Sequence, residues 1–479
     1  MKKFTKILAT VGPATQDEAI LANLIASGVN TFRFNLKHNE VPWHAGLIDT
    51  VKKIAKELDT PIGTLIDLQG PEVRIVISDE EFEVAEGEEV GVGKDAGIQK
   101  HILLSHTQVI SFLKKGQKVS IDDGKFFFEV VSEGRESCVL KSSSAGILKS
   151  HKTFNMPGAH FTLPVLTEKD KSAIDMCLNH EIDFIALSFV RTSQDVLDLR
   201  GYLEGKQIKA KIVSKIETQL ALDNLDEIID SSDGVMIARG DLGIEVPMEQ
   251  VPYFQKIIIK KCLERGVPVI TATQMLSSMT EKAYPTRAEV SDMANAVYDF
   301  TDSVMLSEET AAGKYPEQAV NTMARTIAFS EQKVFVPDLR TLNTYIVSGQ
   351  EEMLCDAAYN LYLQLCLKNN IGGFIVFTQS GNTARKLSRY RPQVPIYAFC
   401  PDKKTVSSLT LSFGVLPLIN HEIFQKGQQV LIEDVQGALG LLRSQNLYDP
   451  KKYYIVLYGD IWMIEGSLST IKVIPPTEN

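Results

Sequence analysis

Short apolar runs that each end in a polar or charged residue recur along the first two thirds of the chain. They are Lys6-Ile7-Leu8-Ala9-Thr10, Asn30-Thr31-Phe32-Arg33-Phe34-Asn35, Gly63-Thr64-Leu65-Ile66-Asp67 and Phe184-Ile185-Ala186-Leu187-Ser188, then Lys211-Ile212-Val213-Ser214-Lys215, Gly234-Val235-Met236-Ile237-Ala238, Pro268-Val269-Ile270-Thr271-Ala272-Thr273 and Ser303-Val304-Met305-Leu306-Ser307. Near-continuous apolar runs of this length fit strands buried on both faces. Helix-like stretches separate most of them, such as Asp17 to Ser27 and Tyr253 to Arg265, the latter closed by Gly266 as a C-cap. Eight such units predict an α/β fold built on a (β/α)8 barrel. A doubly wound open sheet is the alternative, but no Gly-x-Gly-x-x-Gly follows any of these strands.

In a barrel of this kind the chemistry sits at the C-terminal ends of the strands. Here those ends carry Thr10, Arg33, Asn35, Asp67, Ser188, Lys215, Glu217, Arg239, Asp241, Thr273 and Ser307. A strand leaving the core tends to finish in a polar residue, which accounts for a Thr or a Ser. It does not account for Arg, Asp, Lys and Glu converging on one rim.

The gap after the third strand, from about Leu68 to Glu181, is too long for a βα loop. Its middle alternates in short strands, Glu81 to Val84, Glu88 to Val92 and Lys118 to Ile121, then a turn at Asp122-Asp123-Gly124 and Lys125 to Val131. This predicts a small β-barrel domain inserted in the larger barrel and suited to act as a lid. From about Asn343 a second α/β unit begins, with strands at Gly372 to Thr378, Pro395 to Cys400 and Tyr453 to Tyr458. The expected domains are therefore residues 1–69 with 159–340 for the barrel, 70–158 for the lid, and 341–479 for a C-terminal α/β regulatory domain.

With 479 residues, several cores are needed. The net charge of -10 argues against nucleic acid as a partner, since phosphate backbones call for clustered Lys and Arg. The cysteines are scattered with no Cys-x-x-Cys pair, as in a protein of a reducing compartment. Lys2 and Lys3 are followed by no long apolar run, and no stretch of membrane-spanning length occurs, so a cytoplasmic protein is expected.

Ser214-Lys215-Ile216-Glu217 and Ala238-Arg239-Gly240-Asp241 carry the most chemistry. Carboxylates at neighbouring strand ends can hold one Mg²⁺, which takes few protein oxygens and the rest from substrate or water. A lysine beside them can neutralise charge on a transferring phosphoryl group. A purely structural rim, in which Lys215, Glu217, Arg239 and Asp241 pair among themselves, is the competing account of the same residues.

The surrounding segments decide between them. Thr5-Lys6-Ile7-Leu8-Ala9-Thr10-Val11-Gly12-Pro13-Ala14-Thr15, Asp67-x-x-Gly70-Pro71-Glu72-Val73-Arg74 and Ala272-Thr273-Gln274-Met275-Leu276 resemble the pyruvate kinase family. So do Pro285-Thr286-Arg287-Ala288-Glu289-x-Ser291-Asp292-x-Ala294-Asn295-Ala296, Met305-Leu306-Ser307-x-Glu309-Thr310, Thr378 to Arg385 and Ser388-Arg389-Tyr390-Arg391-Pro392. Several long motifs in one order are far more specific than a single short pattern.

The resemblance implies phosphoryl transfer from phosphoenolpyruvate to ADP, giving pyruvate and ATP. It implies Mg²⁺ (or Mn²⁺) on Glu217 and Asp241, and Lys215 and Arg33 against the phosphoryl group. Gly240, Asp241 and Thr273 would hold the substrate carboxylate, and Thr273 and Ser307 lie near the proton relay. For the nucleotide it points to Thr10, Pro13, His38, Trp43, Arg74 and Lys152, although Trp43 would also suit plain helix packing and Lys152 a solvated lid surface. A homotetramer is the family's usual assembly. Thr378, Ser380, Gly381, Asn382 and Thr383 form the expected effector loop, where a sugar monophosphate or AMP is the expected ligand if any binds. The loop would suit an ordinary capped helix as well.

The chain departs from the family where a monovalent cation usually binds. The second strand usually ends Asn-x-Ser-His, and here it reads Asn35-Leu36-Lys37-His38. The third usually reads Asp-Thr-Lys-Gly-Pro-Glu, and here it is Asp67-Leu68-Gln69-Gly70-Pro71-Glu72. A lysine cannot ligate K⁺, so the Lys37 ammonium is expected to take the cation's place among Asn35, Asp67 and Leu68 and to make K⁺ unnecessary. The competing outcome is that Lys37 turns to solvent or blocks the site. Gln69 and Glu308 also depart from the usual residues, and they keep open a weakly active paralogue that binds nucleotide or a phosphorylated effector. A lyase of the phosphoenolpyruvate/pyruvate barrel group is a third alternative, disfavoured by the two additional domains.

Overall fold

The computed structural model describes residues 3–94, 97–158, 163–333, 347, 349–367, 370–420, 432–459 and 468–477. The expected restart near Asn343, the 340/341 boundary and residue 159 lie outside the described residues.

The eight apolar runs are the strands Lys6–Val11, Thr31–Asn35, Gly63–Asp67, Phe184–Leu187, Lys211–Ile216, Gly234–Ala238, Val269–Ala272 and Ser303–Leu306. They pair in parallel, each with its chain neighbours, and the first closes on the last with Lys6 opposite Ser303. Nearly all of their side chains are buried because helices cover the outside while the barrel interior fills with its own side chains. Leu8, Leu65, Phe184, Ala186, Val213, Met236, Ile270, Ala272 and Met305 make that inner core. A residue from far along the chain completes it, Leu411 of the C-terminal domain, which is 1% exposed.

Local chemistry sets the helix ends. Asp17 caps Glu18–Ala26 by accepting from the Ala19 backbone N–H at 2.8 Å. Gly266 ends Val251–Arg265 with φ of 70°, a conformation that a side chain would oppose.

The inserted domain is a seven-stranded, mostly antiparallel sheet with a separate ribbon of Glu81–Val84 and Gly146–Lys149. Its end strands, Ile75–Val76 and Phe154–Asn155, are joined by a bridge between Arg74 and Thr153, so the sheet curls back on itself around its own core. The expected turn is there: Asp122, Asp123 and Gly124 all have positive φ and link Lys118–Ile121 to Phe126–Ser132.

The C-terminal domain has a five-stranded sheet in the order Val415–Ile419, Ile396–Cys400, Ile371–Phe377, Tyr453–Gly459, Leu468–Ile474, antiparallel only at the last pair. It is bolted to the bottom of the barrel. Arg391 pairs with Asp302 at 2.6 Å, both buried, and donates to the Phe300 carbonyl. Asp302 in turn accepts from the backbone N–H of Phe413 and of Val269. Thr31 meets Thr410 at 3.0 Å, and Ser303 donates to the Leu411 carbonyl.

Removing one partner of a buried, hydrogen-bonded ion pair leaves an uncompensated charge. Arg391→Leu is therefore expected to lower stability by about 3 kcal/mol, read as a shift of the denaturant midpoint. A midpoint unchanged from the parent would show that the domains are held by their apolar contacts alone.

Candidate active site

Asp67, at the end of the third strand, is 1% exposed and stands between two cations. Arg33 from the second strand reaches its Oδ2 through Nε and Nη2, both at 2.7 Å. Lys215 from the fifth strand lies 3.3 Å from its Oδ1. The second and third strands are adjacent, with Asn35 in register with Asp67, and Lys215 reaches Asp67 past the end of the fourth strand. Burial opposes the Asp67 charge, but Lys215 and Arg33 outweigh it and hold the carboxyl below its ordinary range. That share of stability is complete at neutral pH and is lost only as the pH falls below the ordinary carboxylate range.

Lys215 Nζ also lies 2.7 Å from Glu217 Oε1 and donates to Ser188 Oγ at 2.8 Å. Burial works against its charge, yet Asp67, Glu217 and Asp241 together raise it above the ordinary lysine value. The site therefore favours the charged ammonium despite its burial. Burial pushes the Glu217 carboxyl up, with Asp241 adding to the effect and Lys215 opposing it.

Glu217 Oε2 accepts from the Phe189 backbone N–H at 2.7 Å, and Oε1 takes the Lys215 ammonium at 2.7 Å. Asp241 lies in the first turn of the short helix Arg239–Glu245 and lines the same cleft. Two carboxylates on one cleft, each with lone pairs beyond these contacts, fit a divalent cation that takes few protein ligands. Among the described residues no cluster of three or more His, Cys, Asp or Glu offers a fuller cage.

The seventh and eighth strand ends supply hydroxyls. Thr273 has φ of 64° and its Oγ1 accepts from the Gly240 N–H at 2.8 Å. Arg239 holds that strained loop in place: its guanidinium donates to the carbonyls of Ala272 and Thr273 and pairs with Asp292 at 2.8 Å. So Arg239 belongs to the scaffold of the rim and does not pair with Glu217. Ser307 Oγ is buried with no hydrogen-bond partner, while its backbone N–H is held by Glu309 at 2.7 Å. Glu309 also accepts from Leu276, which ties the two strand ends together.

Lys37 is where the geometry corrects the expectation. Its ammonium does not sit among Asn35, Asp67 and Leu68. It pairs with Glu72 Oε1 at 2.7 Å and remains 32% exposed. The reason is local: both Asp67 oxygens already face Arg33 and Lys215, and Asn35 Oδ1 accepts the Lys37 backbone N–H at 3.2 Å. The Leu68 carbonyl accepts from Ser188 Oγ. The carboxylate with a share to spare is Glu72, whose other oxygen meets Arg74 at 2.5 Å.

The expected nucleotide residues divide. Thr10 is at the site, receiving Arg33 Nη1 at 3.0 Å and donating to the Leu306 carbonyl. Arg74 is near through Glu72, and Lys152 pairs with Asp122 at 3.0 Å on the lid. Pro13 is exposed at the start of a short 3₁₀ turn. The His38 carbonyl receives His44 Nε2 at 2.7 Å, and burial, then Lys37 and Arg33, lower the His38 ring below its ordinary value. Trp43 is half-buried, packed against the barrel core and edge-on to His44 with ring centres 4.9 Å apart.

The effector loop is distant from all of this. Thr378 Oγ1 accepts from the Gly381 N–H, Arg385 holds the Ser380 carbonyl and Asn382, and Thr383 donates to Glu351. Sequence reasoning missed Ser188 as a ligand of Lys215 and the Phe189 N–H as a ligand of Glu217. The second has no sequence signal, because it depends on a backbone φ of 55° at a phenylalanine.

Comparison with known proteins agrees with this geometry. The pyruvate kinase barrel-domain family model matches residues 2–320, and the pyruvate kinase alpha/beta-domain model matches residues 355–474. Pyruvate kinase from Staphylococcus saprophyticus is 40% identical over 427 residues, covering 87% of this chain and 71% of that protein. The Staphylococcus aureus enzyme is 40% identical over 420 residues with the same coverage. The crystal structure of a pyruvate kinase from Cryptosporidium parvum superposes with a TM-score of 0.91 at 31% identity, covering 99% of this chain and 96% of that one.

Two substitutions separate the roles of the buried groups. Ser307→Ala removes a hydroxyl with no partner and is expected to leave stability within about 0.5 kcal/mol of the parent. Asp67→Asn leaves two cations under-compensated and should cost about 3 kcal/mol at pH 7. The cost should shrink as the pH is lowered, because the parent loses this contribution in acid. Denaturant titrations at several pH values read both, and an Asp67→Asn cost that is constant with pH would contradict the assignment.

Proposed function

The chain belongs to the pyruvate kinase family and is a phosphotransferase acting between phosphoenolpyruvate and ADP, and we propose how its residues divide that work. Lys215 and Arg33 hold the phosphoryl group and stabilise the charge that develops as it leaves, because two fixed cations beside one site are preorganised for it. Glu217 and Asp241 hold the divalent cation, Mg²⁺ or Mn²⁺, which when bound neutralises phosphoryl and carboxylate oxygens. Gly240, Asp241 and Thr273 receive the substrate carboxylate. Thr273 and Ser307 serve the proton that converts the enolate to pyruvate. Thr10, His38, Arg74 and Lys152 face the nucleotide, with Pro13 at its edge.

The observation that carries this reading is the Lys215 ammonium held among Asp67, Glu217 and Ser188 in a buried rim. On the same rim Ser307 Oγ keeps unused hydrogen-bonding capacity, which a purely structural rim has no reason to leave.

Activity is further proposed to be independent of K⁺. Lys37 places its ammonium on Glu72 at the mouth of the site. The family's usual mark of K⁺ independence, a lysine in place of that glutamate, is absent because Glu72 is retained, so Lys37 would be a different solution to the same charge requirement. The C-terminal loop is proposed as an effector site for a sugar monophosphate or AMP, the assembly as a homotetramer, and the location as the cytoplasm. No helix among the described residues is long and apolar enough to cross a membrane.

A second reading, a weakly active paralogue that mainly binds nucleotide or a phosphorylated effector, rests on Glu308, whose negative charge acts on His38 beside the nucleotide residues.

Pyruvate formation from phosphoenolpyruvate and ADP with Mg²⁺ should proceed at equal rates in K⁺ and in tetramethylammonium at matched ionic strength. Lys37→Ser should lose about tenfold or more in tetramethylammonium and recover in K⁺, by the size of one preorganised charge. A parent enzyme that turns over only with K⁺ would overturn the Lys37 assignment. No turnover in either salt would favour the paralogue.

A further inference from the structure

The inserted domain hangs from the barrel by two chain segments, one leaving through Gln69 and Gly70 and the other returning toward the helix Glu168–Asp175. A single carboxylate holds both. Asp170 is 1% exposed. Its Oδ1 accepts from the backbone N–H of Gln69 at 3.0 Å and of Gly70 at 3.4 Å. Its Oδ2 accepts from the Thr167 N–H at 3.0 Å and the Thr167 hydroxyl at 2.6 Å. The second pair makes an ordinary capping box on the helix. The first pair is not explained by the cap, because it reaches about a hundred residues back along the chain to the other hinge segment.

The outgoing segment then lies directly on the metal-binding side of the rim. Gly70 has φ of 69°, and a Cβ there would stand 2.9 Å from Phe189 Cδ2 and 3.1 Å from Ser188 Cβ. The Phe189 N–H donates to Glu217, and Ser188 Oγ receives Lys215. Ser188 is tied in turn to the Leu68 carbonyl at 2.8 Å. One residue layer therefore separates the hinge from both the carboxylate and the ammonium of the site. On the returning side Arg191, two residues past Phe189, holds the Leu163 carbonyl at 2.8 Å.

We propose that Asp170 is a positioning residue that clamps the two hinge segments together and, through Gly70 and Phe189, fixes the orientation of Glu217 toward the divalent cation. The inference rests on the reading of Glu217 as a metal ligand. Partners one layer out from a metal ligand commonly change affinity by about 10–100-fold when removed, and hinge substitutions tend to move kcat and KM together.

The test compares Asp170→Asn with Thr167→Ala in the full chain. Asp170→Asn keeps one acceptor oxygen and sets an amide N–H against a donor on the other side, so one arm of the clamp is lost whichever way the amide turns, whereas Thr167→Ala removes the cap hydroxyl and leaves Asp170 Oδ1 on Gln69 and Gly70. Mn²⁺ affinity is measured directly by electron paramagnetic resonance, alongside kcat and KM for phosphoenolpyruvate. Asp170→Asn should weaken Mn²⁺ binding by about tenfold and lower kcat/KM. Thr167→Ala should lower the melting temperature but leave Mn²⁺ affinity within about twofold of the parent, since single cap losses act on the helix alone.

Equal Mn²⁺ affinity in Asp170→Asn and parent overturns the clamp, as does an equal loss in both variants. A parent that binds no Mn²⁺, or a Glu217→Gln variant that binds it as well as the parent, overturns the metal-ligand reading instead. If Asp170→Asn does not fold, Gly70→Ala carries the same test by pressing on Phe189, and unaltered Mn²⁺ affinity there overturns the proposal.

Discussion

The Asp67 carboxylate is the constraint on which the rest of the site depends. It sits between Arg33 and Lys215, which reach it from the second and fifth strands of the barrel. Two buried cations side by side repel each other, and each loses hydration that the interior does not replace. A buried anion between them, with one oxygen for each, removes most of that penalty. Lys215 is held by Asp67, Ser188 and Glu217 together, and the carboxylates keep it charged despite its burial.

The two additional domains are attached in opposite ways, and the difference follows from what each attachment is made of. The C-terminal domain inserts Leu411 into the barrel's inner core and locks Arg391 onto Asp302 in a buried interface. Separating these would expose apolar surface and an unpaired charge, so this joint is rigid. The inserted domain is joined by two chain segments and by polar contacts, Lys37 to Glu72 and the Asp170 carboxylate to the backbone of Gln69 and Gly70, and among the described residues it seats no side chain in the barrel's inner core.

The barrel was legible in the sequence because its strands are buried on both faces and so appear as unbroken apolar runs, and all eight are found within a residue or two of where they were read. The lid was legible only in part. His101–Leu104, Ser137–Ser142 and Phe154–Asn155 are short and half-exposed, and such strands leave little periodic trace. At the site, residue types at strand ends pointed to Arg33, Asp67, Lys215, Glu217 and Thr273, and the structure brings these to one rim. What the sequence could not convey was direction. Arg239 reads as one more charge on the rim, yet it turns to the Thr273 loop and Asp292. Trp43 suits base stacking and helix packing equally as a residue type, and only its half-buried contact with the barrel core is placed by the fold. Backbone donors such as the Phe189 N–H have no residue type at all, since they are created by a φ value.

Lys37 shows the same limit in its most informative form. Reasoning from charge requirement alone put its ammonium beside Asp67, where a bound cation would otherwise be needed. That place is electrostatically satisfied once Arg33 and Lys215 have both turned to Asp67, and a third cation there would be repelled by two others. Glu72, 7% exposed on its side chain and shared with Arg74, is the nearest anion with capacity left. The lysine accordingly neutralises the hinge glutamate instead of filling the cation's coordination sphere. This changes the nature of the substitution. A bound K⁺ would be shared among oxygens of the barrel, whereas the Lys37–Glu72 pair spans from the barrel to the first residues of the lid, so the same single charge also ties substrate-site electrostatics to the position of the hinge.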